Sequence, residues 1–482
     1  MSDTKKSSSS SVALVWLTVF LGWSVTTLDL QIVSFVQAPM AKSLHVSTGS
    51  VGNAFFLYAV GLGVGAIVLG YFSDIFVGRK RAFMYGILGT VIMTGLTGFV
   101  QNAPELLVVR FFAGLFSGGE WAMGLAMLSE FAPTKRRSLL LAGTQAGVGV
   151  GYGLANVFAQ TFAAPTALGW RWAYFGSFAF AAIAYLVRLR LRESPQWTRI
   201  NQMRDHAAGE VTQGLRAVFA KKQIRYTAIA LIIGFLIGAP QGGWDFSYPA
   251  WYAHGGVTGH PIPAVSGNTI TYAYEIALVV STVFGGWFMD KVSAKWMLPF
   301  VWIAVPFTIL IWRAPFSEGV FPVSSYLFIA GFFRQLGWSV TAAYLVLLFP
   351  TRIRGVGMGL TVLAEWMFGY GASAYWGTHL VSAGDWNTFW LLEVILLALI
   401  PIPMVLAGVE TKGRKLDFQE DESLVAAAGE PADAAPVVAS QAGSPQAGLT
   451  ELHEPSQSDL PEPSGGSDSP GGEASGGSLA HA

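Results

Sequence analysis

The hydrophobic positions of the first 418 residues fall into about twelve runs, beginning near residues 12, 50, 82, 105, 138, 171, 226, 267, 297, 322, 356 and 387, with short polar stretches between them. A helix needs about 20 mainly apolar residues to cross the hydrocarbon core of a bilayer. On that ruler the pattern predicts an all-α membrane protein with twelve transmembrane helices. The lead MSDTKKSSSSS is polar and basic and enters the first run without a small-residue cleavage site, which predicts a retained cytoplasmic tail and not a removed signal.

Composition sharpens this picture. With 52% hydrophobic and 12% charged residues over 482 positions, no soluble domain of this size is expected, and the lipid bilayer is the first partner implied. The chain has no cysteine, which excludes disulfides and Cys-based metal or redox sites. Charge is distributed unevenly: eleven of the 29 acids follow Phe418, and no base follows Lys415. Residues 419–482, rich in Ala, Gly, Ser, Pro and acids, are therefore expected to be a disordered acidic cytoplasmic tail. With the N-terminus inside, 24 of the 29 Lys and Arg fall in cytoplasmic segments, including Arg79, Lys80 and Arg81, Lys135, Arg136 and Arg137, and the 188–225 loop. Lys42, Arg110, Arg171, Arg313 and Arg334 lie elsewhere. That bias sets the orientation and places both termini in the cytoplasm, with the plasma (inner) membrane as the expected location.

An internal repeat is visible. Gly70, Asp74, Arg79 and Trp170 recur as Gly286, Asp290, Lys295 and Trp386, all at one constant offset. Trp121, Pro133, Thr134, Arg137 and Glu193 recur as Trp338, Pro350, Thr351, Arg354 and Glu410, at an offset one position longer. Common residues match by chance, but an ordered set at a near-constant offset favours duplication. The expected organisation is a six-helix bundle at 1–191, a cytoplasmic loop at 192–225 and a second six-helix bundle at 226–418. In such repeats a substrate site lies between the halves near the bilayer midplane.

These residues carry a family resemblance. The motifs are GYFSDIFVGRK at 70–80, RFFAG and GGEW within 110–121, SEFAPTKRR at 129–137, GWRW at 169–172, RESPQW at 192–197, FPTRIR at 349–354 and ETKGR at 410–414. Together they resemble the major facilitator superfamily, and within it the proton-coupled symporters of sialate and related metabolites and, more distantly, of sugars. The resemblance spans residues 1 to about 418 and implies a cytoplasmic gate built from Gly70, Asp74, Gly78, Arg79, Glu130, Arg137, Glu193, Asp290, Arg354 and Glu410. Two departures stand out. Three residues separate Asp74 from Gly78 where the family has two, and Leu347 stands where the first half has Glu130. A clamp between that acid and the loop arginines is thus expected only in the first half.

Charges inside spans are costly, about 2.5–3.5 kcal/mol each at the bilayer centre, so they mark partners or wet cavities. Asp29 lies roughly 10 Å from the outer end of the first span and Arg110 roughly 8 Å into the fourth. Their depths match. The resemblance implies a proton-coupling pair; a permanent ion pair that only orders the helices is the alternative. Arg334 sits roughly 18 Å into the tenth span, with Glu365 at similar depth. Either the two pair, or Arg334 receives a substrate carboxylate in exchange with Glu365, a task suited to its planar fork. The seventh span is expected to break at GAPQGGWD, 238–245, offering Gln241 and Trp244 to substrate; Gln145 and Trp338 are further substrate-binding candidates. Gly114 and Gly118 form a small-residue stripe suited to helix packing. Glu120, Glu275 and Glu393 are unassigned among relay, cavity lining and buried pairing.

No phosphate-binding loop, metal-spaced His cluster or nucleophile motif occurs, so no enzyme, cofactor, metal or nucleic-acid partner is expected. The expectation is a monomer that moves a small organic acid anion (sialate-like, lactate-like or an aromatic carboxylate) together with protons by alternating access. A sugar:proton symporter and a non-transporting sensor on the same fold are the alternatives.

Overall fold

A computed structural model describes residues 2–163, 168–194, 197–198, 213–255, 264–313 and 320–407. All of them belong to one compact unit, Met1–Ala427. Glu410, the ETKGR motif, residues 195–196 and 199–212 of the expected 192–225 loop, and the acidic tail lie outside the described residues.

Among the described residues every regular element is helical, as lipid requires: with no water to receive them, backbone amides and carbonyls must pair within their own segment. Six helices are individually long and apolar enough to cross a bilayer, including Val12–Leu44, Thr48–Phe72, Ala103–Phe131 and Trp386–Leu406. Other spans are subdivided. The fifth is Arg137–Thr144 and Ala146–Phe158, hinged at Gln145, and the eleventh carries a nine-residue π-helical stretch, Leu363–Gly371, between Arg354–Val362 and Ala372–Ser382.

Helix ends are written in the sequence. Ser47 accepts from the Ser50 amide at 3.1 Å. Asn102 accepts from the Glu105 amide at 3.0 Å while the Glu105 carboxylate returns to the Gln101 amide at 2.8 Å, a reciprocal cap that satisfies otherwise orphaned donors. Asp385 caps Trp386–Leu399, and its hydrogen bonds from Thr388 hold its carboxyl below the usual range.

The extra residue between Asp74 and Gly78 is absorbed as a single π turn, Ser73–Val77. Gly78 then takes φ +85°, and a Cβ there would meet Glu193 Oε2 at 2.6 Å, so only glycine fits this corner.

Glycines also set the helix spacing. Cβ atoms at Gly114 and Gly118 would strike the backbone carbonyls of Tyr58 and Leu62, so the stripe on Ala103–Phe131 brings it backbone to backbone with Thr48–Phe72. The predicted break at 238–245 is absent: Ile224–His254 is helical throughout. Its glycines serve the same close packing, because Cβ atoms at Gly238 and Gly242 would strike the carbonyls of Glu365 and Tyr370.

The two halves meet along two helix pairs. Thr48–Phe72 runs beside the eleventh span, with Gly70 on Gly355, Gly63 on Met367 and Gly52 on Thr378. The fifth span runs beside Ala264–Lys291, with Gly286 on Ser138 and Gly149 on Glu275. The halves therefore touch toward both ends, and repeat mates Trp121 and Trp338 meet edge to face with ring centroids 5.5 Å apart.

Candidate functional site

The intramembrane charges sort into separate clusters. In the first half, Arg110 Nη1 donates to Asp29 Oδ2 at 2.9 Å and Nη2 to the Asp29 carbonyl at 3.1 Å, both side chains being fully buried. The guanidinium lies over the Tyr58 ring, 4.5 Å from its centroid, and faces Tyr174 at 5.6 Å. Tyr58 in turn donates to Ser117 at 2.8 Å. The pairing expected from depth is present. Asp29 Oδ1 has no hydrogen-bond partner among the described residues.

Glu120, unassigned from sequence, binds Arg188 at 2.5 Å. Arg188 also donates to the Thr18 carbonyl at 2.9 Å and lies 3.7 Å from the centroid of Phe83. This corrects one expectation: Arg188 is not a loop residue but the buried last residue of Gly169–Arg188.

In the second half, the pairing of Arg334 with Glu365 does not form. Arg334 Nη2 donates to Glu393 Oε2 at 2.8 Å and Nε to Gln241 Oε1 at 3.2 Å, with its guanidinium 4.9 Å from the Trp244 centroid. Glu365 is bonded by Thr341 at 3.5 Å. By the same rise Glu393 lies roughly 9 Å into the twelfth span against roughly 18 Å for Arg334; depth alone favours Glu365, and helix rotation with the reach of the two long side chains decides for Glu393. Nη1 of Arg334 and Oε1 of Glu393 are buried without hydrogen-bond partners among the described residues, so this pair keeps capacity for a third group. Gln145 is buried at the hinge of the fifth span with both amide atoms unbonded among the described residues. Trp338 packs on Trp121 and Trp366, and Trp244 on Trp390 and Tyr274.

Beside Arg334 lies a cluster that sequence reasoning missed. Asp245 Oδ2 accepts from Tyr152 at 2.5 Å and Tyr370 at 3.1 Å; Oδ1 accepts from Gln241 at 2.7 Å and Tyr274 at 3.3 Å. Gln31 donates to its backbone carbonyl at 2.9 Å. A signal was available: Asp245 follows Asp29, and Tyr274 follows Tyr58, at the same offset that relates Asp74 to Asp290.

At the end carrying the basic loops, the expected gate residues converge. Arg79 pairs with Asp74, reaches Glu130 at 3.4 Å and donates to the Thr351 carbonyl at 3.0 Å. Glu130 also takes Arg354 at 3.3 Å and the Ser194 hydroxyl. One acid thus serves arginines of both halves, which explains why Leu347 can replace its repeat mate. Asp74 accepts from the Val356 amide at 2.8 Å, and Asp290 from the Ser138 and Leu139 amides, each at 3.0 Å. Each acid caps a helix of the opposite half. Glu193 accepts from the Lys80 amide at 3.0 Å, and Arg137 donates to Thr134 at 3.4 Å.

A helical bundle of this kind, with two interlocked halves, buried ion pairs inside each and a charged cluster joining them at one end, has the form of an integral membrane transporter. The sequence model of the Major Facilitator Superfamily matches residues 14–267, and the chain belongs to that superfamily. It is 24% identical over 436 residues to the niacin transporter NiaP of Acinetobacter baylyi, covering 84% of this chain and 95% of that one. It is 27% identical over 351 residues to the cis,cis-muconate transport protein of the same organism, covering 72% and 82%. The fold matches the proton:xylose symporter XylE with a TM-score of 0.68 at 17% identity, over 86% of this chain and 99% of that one. The protein is a transporter of small molecules and not an enzyme.

Proposed function

We propose that this protein is a proton-coupled symporter of small organic acid anions working by alternating access, with both termini and the basic loops facing the cytoplasm across the plasma membrane, and with halves at 1–191 and 226–418. The observation that carries the reading is Arg334: a buried guanidinium of the second half, held by Glu393 and Gln241, linked through Gln241 to Asp245 and its bond from Tyr152 of the first half, with one nitrogen unbonded among the described residues. A carboxylate entering there gains a fork-shaped, charge-assisted partner, with Trp244 as a flat apolar wall and Gln145 and Trp338 close to the interface of the halves. Substrate takes the place of Glu393, not Glu365, in this scheme. The relatives named for niacin and cis,cis-muconate fit a carboxylate cargo.

Coupling is assigned to Asp29 and Arg110. Protonating the carboxylate releases its arginine and changes which arrangement of helices is favoured. Asp74, Arg79, Glu130, Arg137, Glu193, Asp290 and Arg354, together with Gly70 and Gly78, form the cytoplasmic gate that must part for release. The test is uptake by proteoliposomes under an imposed inward proton gradient, with nicotinate, cis,cis-muconate, lactate, sialate and sugars supplied singly. Accumulation of one or more of the acids is expected; no accumulation of any acid would refute the reading.

A further inference from the structure

The repeat that relates the halves carries more than packing residues. Asp245 is the repeat mate of Asp29, Tyr274 that of Tyr58 and Trp390 that of Tyr174, all at the offset that links Asp74 to Asp290. The first-half site consists of an acid, a bonded arginine and two phenols around it. Its second-half counterpart keeps the acid and one phenol but not the arginine, since the mate of Arg110, at the offset that links Trp121 to Trp338, is Leu327.

The carboxylate that remains is fully buried, and its four donors are neutral: Tyr152, Tyr370, Tyr274 and Gln241. Among the described residues no Lys or Arg is within ion-pair distance of it; Arg334, itself bound to Glu393, reaches it only through Gln241. The consequence is a difference in charge balance. A proton on Asp29 leaves the buried Arg110 without its counter-ion, whereas a proton on Asp245 strands no cation. Three of the four donors come from the second half, but Tyr152 belongs to Ala146–Phe158 of the first. Gln31, also of the first half, holds the Asp245 backbone. Asp245 lies in the last third of Ile224–His254, roughly 30 Å from the end that carries the basic loops, so this bond joins the halves on the side opposite the gate.

We propose that Asp245 is a second proton-binding carboxylate of the transport cycle, and that in its ionised form it latches the outer side of the two halves shut through Tyr152. Hydrogen bonds to an ionised acceptor are roughly twice as strong as neutral ones, so adding a proton to the Asp245 carboxylate weakens the Tyr152 bond and favours opening at that side. The outer latch and the Asp74 and Asp290 caps then occupy opposite ends of one interface.

The inference rests on the alternating-access reading, but its test does not use uptake, so the two can fail separately. Because the chain has no cysteine, spin labels can be placed on the full-length protein through Thr48→Cys and Asn387→Cys, both exposed at the outer ends of their helices. Distances between them are measured in lipid nanodiscs from about pH 8 to about pH 5, a range that spans the titration of buried carboxylates. Asp29→Asn is present in every labelled protein to silence the other carboxylate.

In that background, acidification is expected to move population to longer distances. Adding Asp245→Asn should give the long-distance distribution at every pH, and Tyr152→Phe should shift it the same way while preserving the Asp245 side chain. Tyr274→Phe, which removes bonds made within one half, should leave the distances at the alkaline end unchanged. A pH-dependent distance that survives Asp245→Asn would overturn the proposal, as would Tyr152→Phe distances identical to the background. If Asp245→Asn does not fold, the two phenol variants decide alone.

Discussion

Asp74 and Asp290, mates in the internal repeat, do the same task in opposite directions: each carboxylate accepts backbone amides at the start of a helix belonging to the other half, Val356 for Asp74 and Ser138 with Leu139 for Asp290. A helix N-terminus presents unpaired amides and a partial positive charge, and a carboxylate answers both. In the proposed gate, this end is therefore held by two crossed caps as well as by the ion pairs around Glu130.

Asp74→Ala or Asp290→Ala should open this end. Removing a side-chain cap costs about 0.5–2 kcal/mol, a shift of roughly 2- to 30-fold in the ratio of open to closed forms. Labels at Arg81→Cys and Trp296→Cys should report a larger long-distance population in either variant, and more in the double variant. Unchanged distances would mean that the caps contribute nothing to closure.

We propose that the buried pair of Glu120 with Arg188 is a stabilising contact outside the proton path. Glu120→Gln should lower thermal stability strongly, because removing one partner of a buried pair costs about 3–5 kcal/mol, while the proton-to-substrate ratio of the surviving protein stays as in wild type. A changed ratio would move Glu120 into the proton path.

Gly118 and Gly242 admit no side chain, since each faces a neighbouring backbone carbonyl. Gly118→Val and Gly242→Val should each reduce the yield of folded protein, by about 1–3 kcal/mol of overpacking or more. Size-exclusion profiles and melting curves in detergent check this, and wild-type behaviour in Gly242→Val would revive an unwound seventh span.

Arg334→Lys tests the carboxylate fork. Charge is kept and the two-pronged geometry is lost, so affinity for a transported acid should fall by roughly tenfold or more, read as a reduced ligand-dependent thermal shift. Equal shifts in the variant and wild type would place the substrate carboxylate elsewhere.

What sequence can and cannot provide follows from geometry. Spans are legible because hydropathy along the chain needs no knowledge of neighbours, and the matching depths of Asp29 and Arg110 make their pairing feasible, with the family resemblance pointing to the pair. Rotation about a helix axis is not encoded in depth, so the sequence sets Glu365 beside Arg334 in place of Glu393. Arg188 reads as a loop residue because the positive-inside count treats any base near a span end as exposed, whereas it turns inward to Glu120. The glycines at 238–243 read as a break because glycine permits unwinding, yet here it permits contact. Asp245 is recoverable from the repeat offset, but its tie to Tyr152 joins two different spans from opposite halves, which no local pattern shows.

The most direct test of coupling is to compare two modes of transport in Asp29→Asn proteoliposomes: accumulation driven by an imposed proton gradient, and exchange of labelled for unlabelled substrate at equal pH on both sides. With Asp29 and Arg110 as the coupling pair, exchange should persist while gradient-driven accumulation is lost. Accumulation at the wild-type level in Asp29→Asn would contradict the assignment.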